Sequence, residues 1–123
     1  MAVPLKSASL DQPFYRNEHL FVDLRQPLVI LDGQTLTLTR QEYSLLALLV
    51  QHAGEIVPRA TLLTQIFGYV SQARTRTVDA HIGRLRKKLG REGRRIETIF
   101  GKGYRFRLQH QGPPEADAPT NSI

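Results

Sequence analysis

Cysteine is absent from these 123 residues, which removes a disulfide framework, a thiolate metal site and a thiol nucleophile at once. No run approaches the roughly 18 consecutive apolar residues that a membrane-spanning helix requires. The N-terminus also lacks the basic stretch leading into an apolar one that marks a secretory signal. No membrane partner is expected, and the cytoplasm is the expected compartment. The histidines His19, His52, His81 and His110 fall at no metal-ligand spacing, so neither a metal nor a cofactor is expected. No convincing nucleophile–base pair or carboxylate dyad stands out either, which argues against an enzyme. The length suits one core, without room for a second.

Acidic side chains are scarce in one region, and that scarcity carries information. Between Arg74 and Arg107 twelve basic side chains face three acidic ones, a local balance of +9. The rest of the chain carries −3, which gives the overall +6. A segment this one-sided is the electrostatic footprint of polyanion binding.

Inside that segment, Arg74 to Gly90 (RTRTVDAHIGRLRKKLG) is the stretch around which the chain is organised. Val78, Ile82, Leu85 and Leu89 recur at helical spacing as one narrow apolar stripe. At about 100° per residue, Arg76, Ala80, Gly83, Arg84 and Lys87 fall on the opposite side. One face is built to dock on a core. The other is cationic and has no bulky apolar side chain at its centre, which suits a DNA major groove: charge for phosphates, forks for guanine edges, small residues for close approach. An amphipathic basic helix also suits a membrane surface or an acidic protein, so the helix alone leaves those alternatives open.

The remaining chain reads in order. Residues 1–17 have no sustained period and form a flexible leader, with Phe14 and Tyr15 the residues able to pin it to the body. From His19 to Thr39 the alternation is strand-like, and Asp32-Gly33 between β-rich runs predicts a hairpin with a type I′ turn. Thr39 and Glu42 predict a capping box that opens a helix through Val50, with Gly54 at its end. Pro58 opens a short helix over 59–67 that buries Leu62, Leu63, Ile66 and Phe67, and Gly68 stops it. Tyr69 to Ala73 is a connection richer in apolar groups than a loop requires. Beyond the basic helix, 90–95 (GREGRR) reads as a polar loop. The runs 96–100 and 104–108 around Gly101-Lys102-Gly103 then form a hairpin with a cation at its tip. The Gly-x-Gly there lacks the strand–glycine–helix context of a phosphate loop. Residues 109–123 are Pro-rich, polar and without a period, and are read as a disordered tail.

A small antiparallel sheet, three helices and a C-terminal hairpin make an α+β winged helix-turn-helix over 18–108. The run Arg76 to Leu89 resembles the OmpR/PhoB family of response-regulator output domains. So does Ile99-Phe100-Gly101-Lys102-Gly103-Tyr104-Arg105-Phe106, which is similar to that family's wing signature, and Leu38 to Leu46 resembles its first-helix opening. The resemblance implies sequence-specific binding to double-stranded DNA at direct repeats, often by two domains head to tail, in transcription regulation. It places Arg76, Ala80, Arg84 and Lys87 toward the major groove. It makes Thr77, Arg86, Lys102, Tyr104 and Arg105, with Arg74 at the helix start, candidates for backbone or wing contacts. It also implies that Tyr69, Val70, Ser71, Gln72 and Ala73 form a loop able to touch RNA polymerase.

Two positions depart from the family pattern: Gly83, where relatives often carry a polar or basic residue, and Phe100, where the wing commonly has arginine. The chain as given also leaves no room for a phosphoacceptor receiver domain. From the residues themselves, Arg84 is the strongest candidate for base reading and Ala80 for a thymine methyl. Tyr104 reads as a packing anchor at the wing root, and His81 as a half-buried structural residue. The alternative function is a basic winged-helix module that binds an acidic protein.

Overall fold

The structure is a computed structural model that describes residues 13–68 and 75–108. It opens with a four-stranded antiparallel sheet in the order β1 (Phe14–Arg16), β2 (Leu20–Asp23), β3 (Leu28–Leu31) and β4 (Gln34–Thr35). Part of the expected leader therefore belongs to the body. Phe14, Tyr15 and Arg16 pair with Asp23, Val22 and Phe21, and Tyr15 is buried because its ring meets Phe106 edge-on at 5.2 Å. Residues 1–12 of that leader lie outside the described residues.

The Asp32-Gly33 turn forms with φ of +49° and +83°, the two positive values that a type I′ hairpin demands. Strand β4 stops at Thr35, short of the Thr39 that the alternation suggests. Thr39 is committed to the next element instead. Its side chain accepts from the Glu42 amide while Glu42 accepts from the Thr39 amide, the capping box that starts α1 (Arg40–Gln51). Leu45, Leu46, Leu49 and Val50 of α1 are completely buried, so this helix is the central beam of the core. The Tyr43 hydroxyl donates to the Asp23 carbonyl and ties α1 to β2.

A strand that the alternation does not reveal follows: β5 (Val57–Pro58) pairs with Tyr104 and Gly103 of the outer hairpin, making a second sheet of three strands. The short helix α2 (Arg59–Leu62) runs directly into a π-type turn over Leu63–Phe67, and Gly68 ends it at φ +82°. Helix α3 (Thr75–Leu89) buries Val78, Ile82, Leu85 and Leu89, the four residues of the sequence stripe.

After α3 the stretch read as a polar loop is an ordered 3₁₀ turn over Gly90–Arg95 with Glu92 and Gly93 buried. Gly93 lies so close to α3 that an added Cβ would stand 2.5 Å from the Arg86 carbonyl oxygen. The hairpin of β6 (Ile96–Ile99) and β7 (Gly103–Phe106) completes the three-helix-plus-wing arrangement. Residues 109–123, read as a tail, lie outside the described residues.

Candidate nucleic-acid interface

Helix α3 is fastened at both ends of its length and along its inner edge. Lys88 donates to Glu42 at 2.7 Å, joining the rear of α3 to the first turn of α1. Burial raises the Glu42 pKa, but the Lys88 ammonium and the Thr39 cap outweigh it and hold the carboxyl below its ordinary value. Nearer the front, Asp79 accepts from both Nε and Nη2 of Arg59 on α2. The same carboxylate accepts from the Tyr104 hydroxyl at 2.7 Å. Burial raises the Asp79 pKa, and the Arg59 and Tyr104 hydrogen bonds more than offset it, for a net lowering. Burial and the hydrogen bond to Asp79 push the Tyr104 phenol up to about 12.

The wing is fastened to this same helix. Arg86 donates from Nε to the Ile96 carbonyl at 3.0 Å and from Nη2 to the Thr98 hydroxyl at 2.9 Å. Its guanidinium also lies 5.5 Å from the centroid of the Tyr104 ring, within cation–π range. Beneath the wing, Gly103 passes the β5 backbone so tightly that an added Cβ would be 2.1 Å from the Val57 carbonyl oxygen. Helix and hairpin thus form one unit, joined by Tyr104–Asp79 on one strand and Arg86–Thr98 on the other.

What remains facing outward is a cationic face. Arg76, Ala80, Gly83, Arg84 and Lys87 on α3 are exposed, as is Lys102 in the wing turn. Among the described residues Arg84, Lys87 and Lys102 form no ion pair. Thr77 is half-buried, and its carbonyl lies 2.9 Å from the His81 Nδ1. His81 is half-buried too, with its ring against Phe67 at 5.0 Å.

Three expected contact residues are engaged within the protein, Tyr104 in the packing-anchor role expected of it. Tyr104 is 5 % exposed with its hydroxyl committed to Asp79, so it anchors the wing. Arg86 turns to the wing strand, which withdraws its Nε and Nη2 from phosphate work. Arg105 is half-buried and donates to Glu97 at 3.0 Å across the hairpin. Arg74 and the connection Tyr69, Val70, Ser71, Gln72 and Ala73 lie outside the described residues. Sequence reasoning missed Arg59 and Asp79 as positioning groups. The signal available was an acid, Asp79, isolated within an otherwise basic helix.

A helix tied to a hairpin, with one cationic outer face, is a winged-helix arrangement, and comparison with known proteins gives its family. Residues 33–106 match the family described as transcriptional regulatory protein, C terminal. The chain belongs to that family of OmpR/PhoB-type DNA-binding domains. It is 38 % identical over 101 residues to the uncharacterized transcriptional regulatory protein YclJ of Bacillus subtilis, covering 80 % of this chain and 44 % of that protein. Among solved structures it is similar to the response regulator DrrB of Thermotoga maritima, an OmpR/PhoB homolog. That match has TM-score 0.71 and 31 % identity, over 79 % of this chain and 45 % of the other. It is also similar to the Klebsiella pneumoniae RstA DNA-binding domain, solved in complex with the RstA box. There the TM-score is 0.67 and the identity 33 %, over 78 % of this chain and 98 % of that domain. The chain spans less than half the length of the curated relatives it matches.

Proposed function

We propose that this chain binds double-stranded DNA sequence-specifically in transcription regulation, with α3 in the major groove and the β6–β7 wing on the adjacent backbone or minor groove. The observation that carries the reading is the division of α3. Its apolar stripe is fully buried, and Arg76, Ala80, Gly83, Arg84 and Lys87 stand together in solvent. The RstA domain, captured on its box, has the same fold at 33 % identity, which supports a duplex as the ligand. Family resemblance extends the proposal to direct-repeat sites, a head-to-tail pair of domains on DNA, and contact between the 69–73 connection and RNA polymerase.

Titration on duplex DNA at several salt concentrations tests the reading. Each phosphate neutralised contributes about −0.9 to the slope of log K against log salt, so Arg76, Lys87 and Lys102 together give a slope of about −2.7. A flat response would overturn the proposal. An acidic protein that duplex DNA fails to displace would point to the protein-binding alternative.

A further inference from the structure

At the tip of the wing Phe100 is 90 % exposed, in a fold that buries or half-buries all but one of the other large apolar side chains it describes. The second exposed large hydrophobic among the described residues is Ile56, at 38 %, just before β5. We propose that Phe100 is an apolar wedge that the wing drives into the minor groove, parting one base step and bending the duplex. The inference rests on the DNA-binding reading and deepens it.

Three features favour this occupant. The ring is solitary, whereas an apolar patch that docks a protein spans several hundred Å² of contiguous surface. The tip is also slim: Gly101 turns the chain at φ +76° and Gly103 has no side chain, while the exposed Lys102 stands two residues beyond the ring. An apolar ring beside a cation matches a slit whose floor is stacked bases and whose rims are phosphates. Phenylalanine is among the side chains that unstack base steps from that side. Finally, a wedge needs a stiff handle. The strand entering the tip is held by Arg86 through the Ile96 carbonyl and Thr98, and the strand leaving it by Tyr104 on Asp79. Both holds come from α3, so seating α3 in its groove would press the tip into the next one.

The test uses the full chain and a duplex selected from a randomised pool. Bending is read by energy transfer between end-labelled dyes, and unstacking by 2-aminopurine fluorescence at successive steps. The parent should bend the duplex by at least about 20° and brighten one step. Phe100→Ala should abolish both signals and weaken binding about tenfold, as losing a base–aromatic contact does. Phe100→Leu should keep the bend. Phe100→Arg should recover affinity through charge without recovering bend or fluorescence. The ring packs on almost nothing, so these variants should unfold at the parent's temperature, and a thermal melt checks that they do. A parent that binds without bending, or a Phe100→Ala variant indistinguishable from it, overturns the wedge and leaves DNA binding intact. So does a variant that loses only an acidic protein partner. Failure of the parent to select any duplex overturns the DNA-binding reading itself.

Discussion

Arg84 and Lys102 are both exposed cations, and the proposed function gives them different tasks. A guanidinium on the groove face of α3 can fork onto a guanine edge, whereas an ammonium at the wing turn acts as a point charge. Arg84→Ala should cost about 1–3 kcal/mol on the selected site and much less on random duplex, relaxing specificity at one position. Lys102→Ala should weaken all sequences alike and make the salt slope shallower by about 0.9. Competition titrations against random duplex separate the two, and equal losses on both kinds of DNA would remove the assigned roles. Arg86 is the contrasting case. Its charge looks equivalent in the sequence, but the nearest acceptors to it are the Ile96 carbonyl and the Thr98 hydroxyl.

At the scale of the elements, two glycines make opposite predictions. Gly83 sits on the exposed face of α3, where an added Cβ meets nothing within 4 Å. Gly83→Ala should therefore stabilise the helix by up to about 1 kcal/mol. If the helix backbone approaches DNA closely at that point, the same variant should bind less tightly despite melting higher. Gly103→Ala places a methyl 2.1 Å from the Val57 carbonyl oxygen. It should destabilise by about 1–3 kcal/mol as β5 and β7 are forced apart. Thermal melts of both variants check the signs.

The same elements explain which parts of the fold were legible. Helix α3 follows from its periodicity, the first hairpin from Asp32-Gly33, and the start of α1 from Thr39 and Glu42. Each is a local rule satisfied by neighbours in sequence. Strand β5 was not legible, because two residues, one of them Pro58, have no period and owe their extended form to Tyr104 and Gly103 far along the chain. Nor was the 90–95 turn, whose order comes from Glu92 bonding to Asn17, 75 residues away, and to Arg95. On the interface, exposure of α3 residues followed from phase. Tyr104 reads as an anchor from its place at the wing root, but its partner Asp79 lies on another element and could not be read from spacing.

Across the whole molecule, buried or partly buried carboxylates act as fasteners, and that sets the response to acid. Glu42 and Asp79 both have lowered pKa values in the folded protein. The unfolded chain therefore takes up protons first as pH falls. Their stabilisation is complete above the ordinary carboxylate range near pH 4 and is lost as pH drops through the depressed folded values. Melting temperature should hold level from neutrality to about pH 5 and decline below it. Glu42→Gln keeps the cap but loses the charge opposite Lys88. It should cost about 1 kcal/mol at neutral pH and flatten the acid decline. A decline as steep as the parent's would exclude Glu42 as its source.

The bond from Asn17 to Glu92 joins the first strand to the turn where α3 hands over to the wing. Asn17 also donates to the Tyr15 hydroxyl at 2.8 Å, so the contact is braced on its own side. A tag or bead attached ahead of Phe14 therefore pulls on a strand that is bonded to the joint between α3 and the wing. Immobilising the protein by that end without a slack spacer would load the joint that any binding measurement needs left at rest.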